Sequence, residues 1–181
     1  MRHRLTWLVL FGAVIVATAG FYVGKAWATP ASGFVATTLA KGTLGAFEVF
    51  NHSILPNSTG DDDNDKNVWL SLQKTKGSSD LYVQSNVWQP GGSTGWHSHP
   101  GHSLIVVTAG AVTDYESNDF FCTPHVYTQG MAFVDPGGTH VHIIRNEGTV
   151  PASTIAVQLI PAGAARRIDA AAAPPNCSNI Q

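Results

Sequence analysis

Charge is scarce in this sequence. Only 12% of its 181 residues are Asp, Glu, Lys or Arg, and the formal net charge is −2. No run of Lys and Arg stands out, which argues against nucleic-acid recognition, because phosphate binding needs clustered cations. The chain has no Gly-x-Ser-x-Gly elbow for a nucleophilic serine and no phosphate-cradling glycine loop. It also lacks a pair of carboxylates set for glycoside hydrolysis. No segment recurs at a fixed period, so a solenoid is excluded. Cysteine is nearly absent, with Cys122 and Cys177 the only two.

What is present points to an all-β domain behind a leader. Hydrophobic residues make up 44% of the chain, enough for a core, and 18 glycines and 10 prolines imply many turns. Residues 1–28 read as a signal peptide: a basic start at Arg2 and Arg4, an apolar run from Leu5 to Val23, and Ala26-Trp27-Ala28 as the cleavage signal. Arg2 and Arg4 are separated by His3, so there is no twin-arginine pair. The alternative is an uncleaved membrane anchor, since the apolar run is long enough to span a bilayer. Either way the folded part is expected to be exported, secreted or in the periplasm or cell envelope, or else anchored and facing outside. Without Arg2, Arg4 and Lys25 the charge falls from −2 to −5. In an oxidising compartment Cys122 and Cys177 are expected to pair.

The expected organisation is a lead-in and first strand over 29–67, a barrel over 68–161 and a tail over 162–181. Residues 29–45 read as loose chain, with a first strand at Gly45 to Phe50. Asp61-Asp62-Asp63-Asn64-Asp65 looks like the front of a calcium loop. Lys66 replaces its glycine and Leu72 its bidentate acid, so it reads as a solvated loop. Further strands are expected at 68–74, 81–88, 104–108, 111–116, 131–134, 140–145 and 154–160. Gln89-Pro90-Gly91-Gly92 and Asp135-Pro136-Gly137-Gly138 read as turns, and residues 117–129 as a polar loop.

Six of the eight histidines fall between positions 97 and 142. His97-Ser98-His99 and His140-Val141-His142 each follow a glycine-rich turn. Residues i and i+2 of a strand share a face, so each pair can aim two imidazoles at one point. Neutral imidazole is the commonest ligand for Zn, Fe, Ni and Cu. The first segment reads Gly91-x5-His97-x-His99-x3-Ser103-x6-Gly110. The second reads Gly130-x5-Pro136-x-Gly138, then His140-x-His142-x3-Asn146.

These segments resemble the two motifs of the cupin family, G-x5-H-x-H-x3-4-E-x6-G and G-x5-P-x-G-x2-H-x3-N, over about Val83 to Ile160. The resemblance implies a double-stranded β-helix or jelly-roll barrel. It also implies one divalent metal (Fe, Mn, Zn, Ni or Cu) held inside by motif histidines. Two departures shape the expected site. Ser103, or Leu104 at the longer spacing, stands where the family has glutamate, which leaves an all-histidine site unless another group substitutes. The His-x3-Asn frame selects His142 as third ligand beside His97 and His99, while counting five from Pro136 lands on Val141. His140 remains a candidate ligand or a base at the pocket mouth, and binding by both would give four histidines. Trp96 reads as packing, His102 as facing away from position 103, Asp114 and Asp135 as turn or strand-end acids, and Arg166-Arg167-Ile168-Asp169 as polar surface.

The expected function is that of an exported metal-binding protein, in one reading a dioxygenase-type oxidoreductase acting on small chelating anions. The alternative is a non-catalytic binder of metal or small molecule, and a ligand-free structural barrel is third. A small-molecule ligand and a homodimer are the expected partners, with no nucleic acid and no membrane unless the leader is retained.

Overall fold

The computed structural model describes residues 29–54 and 68–181. The expected leader at 1–28 and the acidic loop at 61–65 lie outside the described residues. Twelve strands follow in chain order: β1 Ser32–Leu44, β2 Glu48–Ile54, β3 Val68–Lys74, β4 Ser79–Ser93, β5 His97–Ser98, β6 Ser103–Ala109, β7 Ala111–Glu116, β8 His125–Thr128, β9 Ala132–Asp135, β10 His142–Arg145, β11 Ala152–Pro161 and β12 Ile168–Asp169. Among the described residues no helix is long and apolar enough to cross a membrane.

The strands form the expected jelly-roll barrel. One half runs β1-β4-β11-β6-β9 and the other β8-β7-β10-β5-β12, all antiparallel, joined where Arg145 of β10 meets Ser93 of β4. Alternation explains the interior. In β6, Ser103, Ile105 and Val107 are buried while Leu104 and Val106 are exposed. Gln84, Asn86 and Trp88 form the inward row of β4, and Ala152, Thr154, Ala156 and Gln158 that of β11. These rows align, with Gln158 opposite Ser103 and Ala152 opposite Trp88. One end of the barrel is therefore packed with Trp88, Ile105, Val107, Val112, Phe133 and Ile144. The other end is lined by polar side chains. A barrel this small either fills or leaves room for one small ligand; here one end is filled and the other encloses a cavity.

Three local expectations are corrected. Residues 32–44 are not loose chain but the long edge strand β1, paired along β4. Nearly every β1 residue is exposed, so no buried face imposed the alternation that would reveal a strand. Gln89 to Gly92 is not a turn but the end of β4. Gly91 has φ +76, and a Cβ on Gly92 would sit 2.5 Å from the Gly33 carbonyl oxygen, so the glycines let β1 close on an irregular strand. The polar loop at 117–129 contains β8, which pairs with β7. Within the expected 68–161 span, among the described residues, β3 pairs with β2 alone, in a separate two-stranded ribbon whose Phe50, Leu70 and Leu72 are exposed.

A second core holds the tail. Cys122 and Cys177 form a disulfide with Cα atoms 5.4 Å apart. Trp96 is buried against Tyr115, Ile143 and Cys177, and its indole N–H donates to the Ile180 carbonyl at 2.9 Å. Trp96 is thus packing, as expected.

Asp80 ties β4 to its neighbours. It is 2% exposed and accepts from the Thr43 hydroxyl at 2.7 Å and the Gly163 N–H at 3.0 Å, with Lys41 Nζ also at 3.0 Å. The Gly163 N–H, then Thr43 and Lys41, pull its pKa from 3.8 down to about 2. A depressed carboxylate contributes stability above its unfolded pKa and loses it as pH falls through the folded one. Asp80→Asn is therefore expected to lower the melting temperature at pH 7, and its gap from the parent to close between pH 4 and pH 2, read by thermal melts across that range.

Candidate metal centre

His97 lies on β5, directly opposite His142 on β10. Opposed residues of an antiparallel pair project to one face, so the register brings the two motifs together. His99 follows just beyond β5. Ring centroids are 4.8 Å apart for His97 and His99, 4.6 Å for His97 and His142, and 5.9 Å for His99 and His142. One ligating atom from each of the three lies within 4.8 Å of the others.

The rings are held by their outer nitrogens. His97 Nδ1 is 2.8 Å from the Gly95 carbonyl oxygen and His99 Nδ1 is 2.5 Å from that of Arg166. A carbonyl only accepts, so each Nδ1 carries the proton and each Nε2 keeps a free lone pair. Burial lowers the pKa of both rings, helped at His97 by the charges of His142, Arg167 and His99. Both are therefore neutral near pH 7, the form that binds metal. His142 is 1% exposed, with Nδ1 3.2 Å from Asp114 Oδ1 but not aligned as a hydrogen bond. Burial opposes its protonation, yet Asp114, Asp135 and Glu116 outweigh that and raise its pKa.

The donor set fits a divalent transition metal. Both ring nitrogens of His142 are buried without a hydrogen-bond partner, and buried polar atoms left unpaired are costly. A cation shared with His97 and His99 would satisfy His142 Nε2. The cavity beside the rings has a volume of about 70 Å³. Gln84 Nε2, Gln158 Oε1 and Arg166 Nη1, from side chains that line it, are likewise buried and unpartnered.

His140 is outside the His97–His99–His142 grouping but adjoins it. It lies in the turn before β10 rather than on the strand, with its ring 5.8 Å from that of His142. Its Nε2 is 3.6 Å from Glu116 Oε1, and it does not line the cavity. It does approach a second grouping, with Asp135 and His142. His102 faces outward as expected, near Gln73. Asn146 is structural: its amide donates to the Trp88 and Val150 carbonyls at 3.3 and 2.8 Å, and its oxygen accepts from the Gly148 N–H at 3.0 Å.

Three residues line the cavity in a way the sequence did not show. Arg166 and Arg167 are not plain surface residues, because both line the cavity. The short bridge β12–β5 folds them inward, and two paired residues leave no readable pattern. Arg167 is engaged with the Thr94 carbonyl and Asp169. Asp135 is a strand-end acid as expected, the last residue of β9, but it is also 1% exposed and lines the cavity.

Residues 86–158 match the cupin domain family. No curated protein matches the chain. Among solved structures, a conserved protein of unknown function from Streptococcus pyogenes is 18% identical with a TM-score of 0.38, over 45% of this chain and 65% of that one. An oxalate oxidase bound to glycolate is 24% identical with a TM-score of 0.38, over 43% of this chain and 41% of that one. A predicted oxalate decarboxylase from Thermotoga maritima is 20% identical with a TM-score of 0.37, over 47% of this chain and 83% of that one. The match spans less than two thirds of the first two. Both histidine motifs and most of the antiparallel barrel fall within the family match, so residues 86–158 form a cupin-type domain.

Proposed function

We propose that this exported cupin holds one divalent metal on His97, His99 and His142 and brings a small anionic molecule to it, in a dioxygenase-type oxidation. The observation that carries this reading is the set of three histidines pinned through Nδ1 or set beside a carboxylate, with His142 Nε2 left free, next to Arg166, whose Nη1 has no hydrogen-bond partner and whose guanidinium lies 5.3 Å from the Tyr82 ring. A bound metal would supply Lewis acidity and open positions for substrate and oxygen. Arg166 supports an anionic ligand, since its Nη1 is buried and unpartnered at the cavity wall. Gln84 and Gln158 offer further polar contacts. A cavity of about 70 Å³ has room for roughly two water-sized groups, at about 30 Å³ each, which restricts the ligand to a very small one. The disulfide and the apolar leader support an extracytoplasmic location.

One observation favours the second reading, a non-catalytic binder. His140, the candidate base, faces Glu116 and does not line the cavity. The test is anaerobic loading of the untagged protein with Fe(II), then oxygen uptake with a panel of small carboxylates, enols and diketones. Uptake with one of them is the expected result, and binding without turnover would favour the binder. Arg166→Leu is expected to weaken that ligand about 10–100-fold, the loss of one charged hydrogen-bonding partner, with metal content unchanged.

A further inference from the structure

We infer that Asp135 supplies, from the neighbouring strand, the carboxylate ligand that the first motif lacks at Ser103. This rests on the metal-binding reading above and changes its donor set from three histidines to three histidines and one aspartate.

Ser103 on β6 pairs directly with Asp135 on β9, so the two side chains share the inward face, and both line the cavity. The carboxylate is displaced by one strand rather than lost. Asp135 is 1% exposed, and a buried carboxylate is costly unless its oxygens are compensated. Oδ1 is: it accepts from the Gly137 N–H at 2.9 Å. Gly137 can make that contact because it sits at φ +69, pressed against the Gly101 backbone where a Cβ would collide. Oδ2 has only the Ser103 hydroxyl, at 3.5 Å.

The distances around Oδ2 point to a shared cation. His99 Nε2 is 3.7 Å away and His142 Nε2 is 3.9 Å away. Both are too long for hydrogen bonds. They are near the separation of two ligands on one ion: with metal–ligand bonds of about 2.0–2.1 Å, adjacent ligand atoms lie roughly 3.0–3.4 Å apart, so a shared cation would draw Oδ2 and the two nitrogens together by about half an ångström. Asp114 is separate, since it sits behind His142 at Nδ1 and orients the ring. The anionic ligand makes the metal less electrophilic than an all-histidine site would. The grouping of Asp135 with His140 and His142 is the competing arrangement.

Co(II) binding to the untagged protein discriminates, read by chelator competition and by the Co(II) absorption spectrum. Asp135→Asn, which keeps an oxygen for Gly137, is expected to lower affinity by at least about 100-fold, more than a partner outside the coordination sphere usually does, and to alter the spectrum. Asp135→Ser combined with Ser103→Glu returns the carboxylate to the motif position and is expected to recover most of the affinity. His140→Ala is expected to keep the affinity within about tenfold of the parent and to leave the spectrum unchanged. Wild-type affinity and spectrum in Asp135→Asn would overturn the assignment while leaving the histidine site standing, as would a loss in His140→Ala equal to that in Asp135→Asn. Failure of the unmodified protein itself to bind Co(II) would overturn the metal reading and this assignment with it.

Discussion

Replacing His142 with alanine is expected to abolish stoichiometric metal binding, whereas replacing His140 is expected to leave it within about tenfold of the parent. His142 is the junction of the site: it pairs across strands with His97 and lies 3.2 Å from Asp114 and 3.9 Å from Asp135. Structural metal sites bind with about 10–16 kcal/mol over four ligands, so one ligand is worth on the order of 3 kcal/mol, or more than 100-fold. His142→Ala also leaves two buried carboxylates facing a cavity, so the metal-free variant is expected to be less stable than the metal-free parent. Isothermal titration with Zn(II) on the two variants separates the roles. Equal losses in both would mean that the turn histidine ligates as well.

Breaking the disulfide is the second large effect. Cys122 and Cys177 are 55 residues apart in sequence, and closing a loop of that length stabilises by roughly 4 kcal/mol in the chain-entropy view. For a domain of this size that corresponds to a fall of about 10 °C in melting temperature. The bond also holds Cys177 against Trp96, whose neighbour is His97. Removing it is therefore expected to loosen β5 and weaken metal binding as well as stability. Thermal melts of the oxidised protein and of the Cys122→Ala/Cys177→Ala variant test this. Identical melting temperatures would show that the tail contributes nothing to the barrel.

The fold was legible where one face of a strand is buried and hidden where none is. The alternation of β4 and β7 and the continuous apolar run of β6 announced strands, and the two glycine frames announced His97, His99 and His142. The exposed edge strand β1 carried no such pattern. His142 was singled out by its frame with Asn146, and His140 stayed an open candidate because the i, i+2 rule assumes a strand at both positions, whereas β10 begins only at His142. Asp135 was invisible for a different reason. Its role depends on being opposite Ser103 across a strand pair, and cross-strand register is not written in local spacing. Arg166 likewise needed the β12–β5 bridge to turn it inward.

The most direct test is the metal content of the untagged protein, measured by elemental mass spectrometry before and after reconstitution. About one divalent ion per chain, lost in His142→Ala, is the expected result. Sub-stoichiometric metal that does not rise on reconstitution would contradict a metal centre built on His97, His99 and His142.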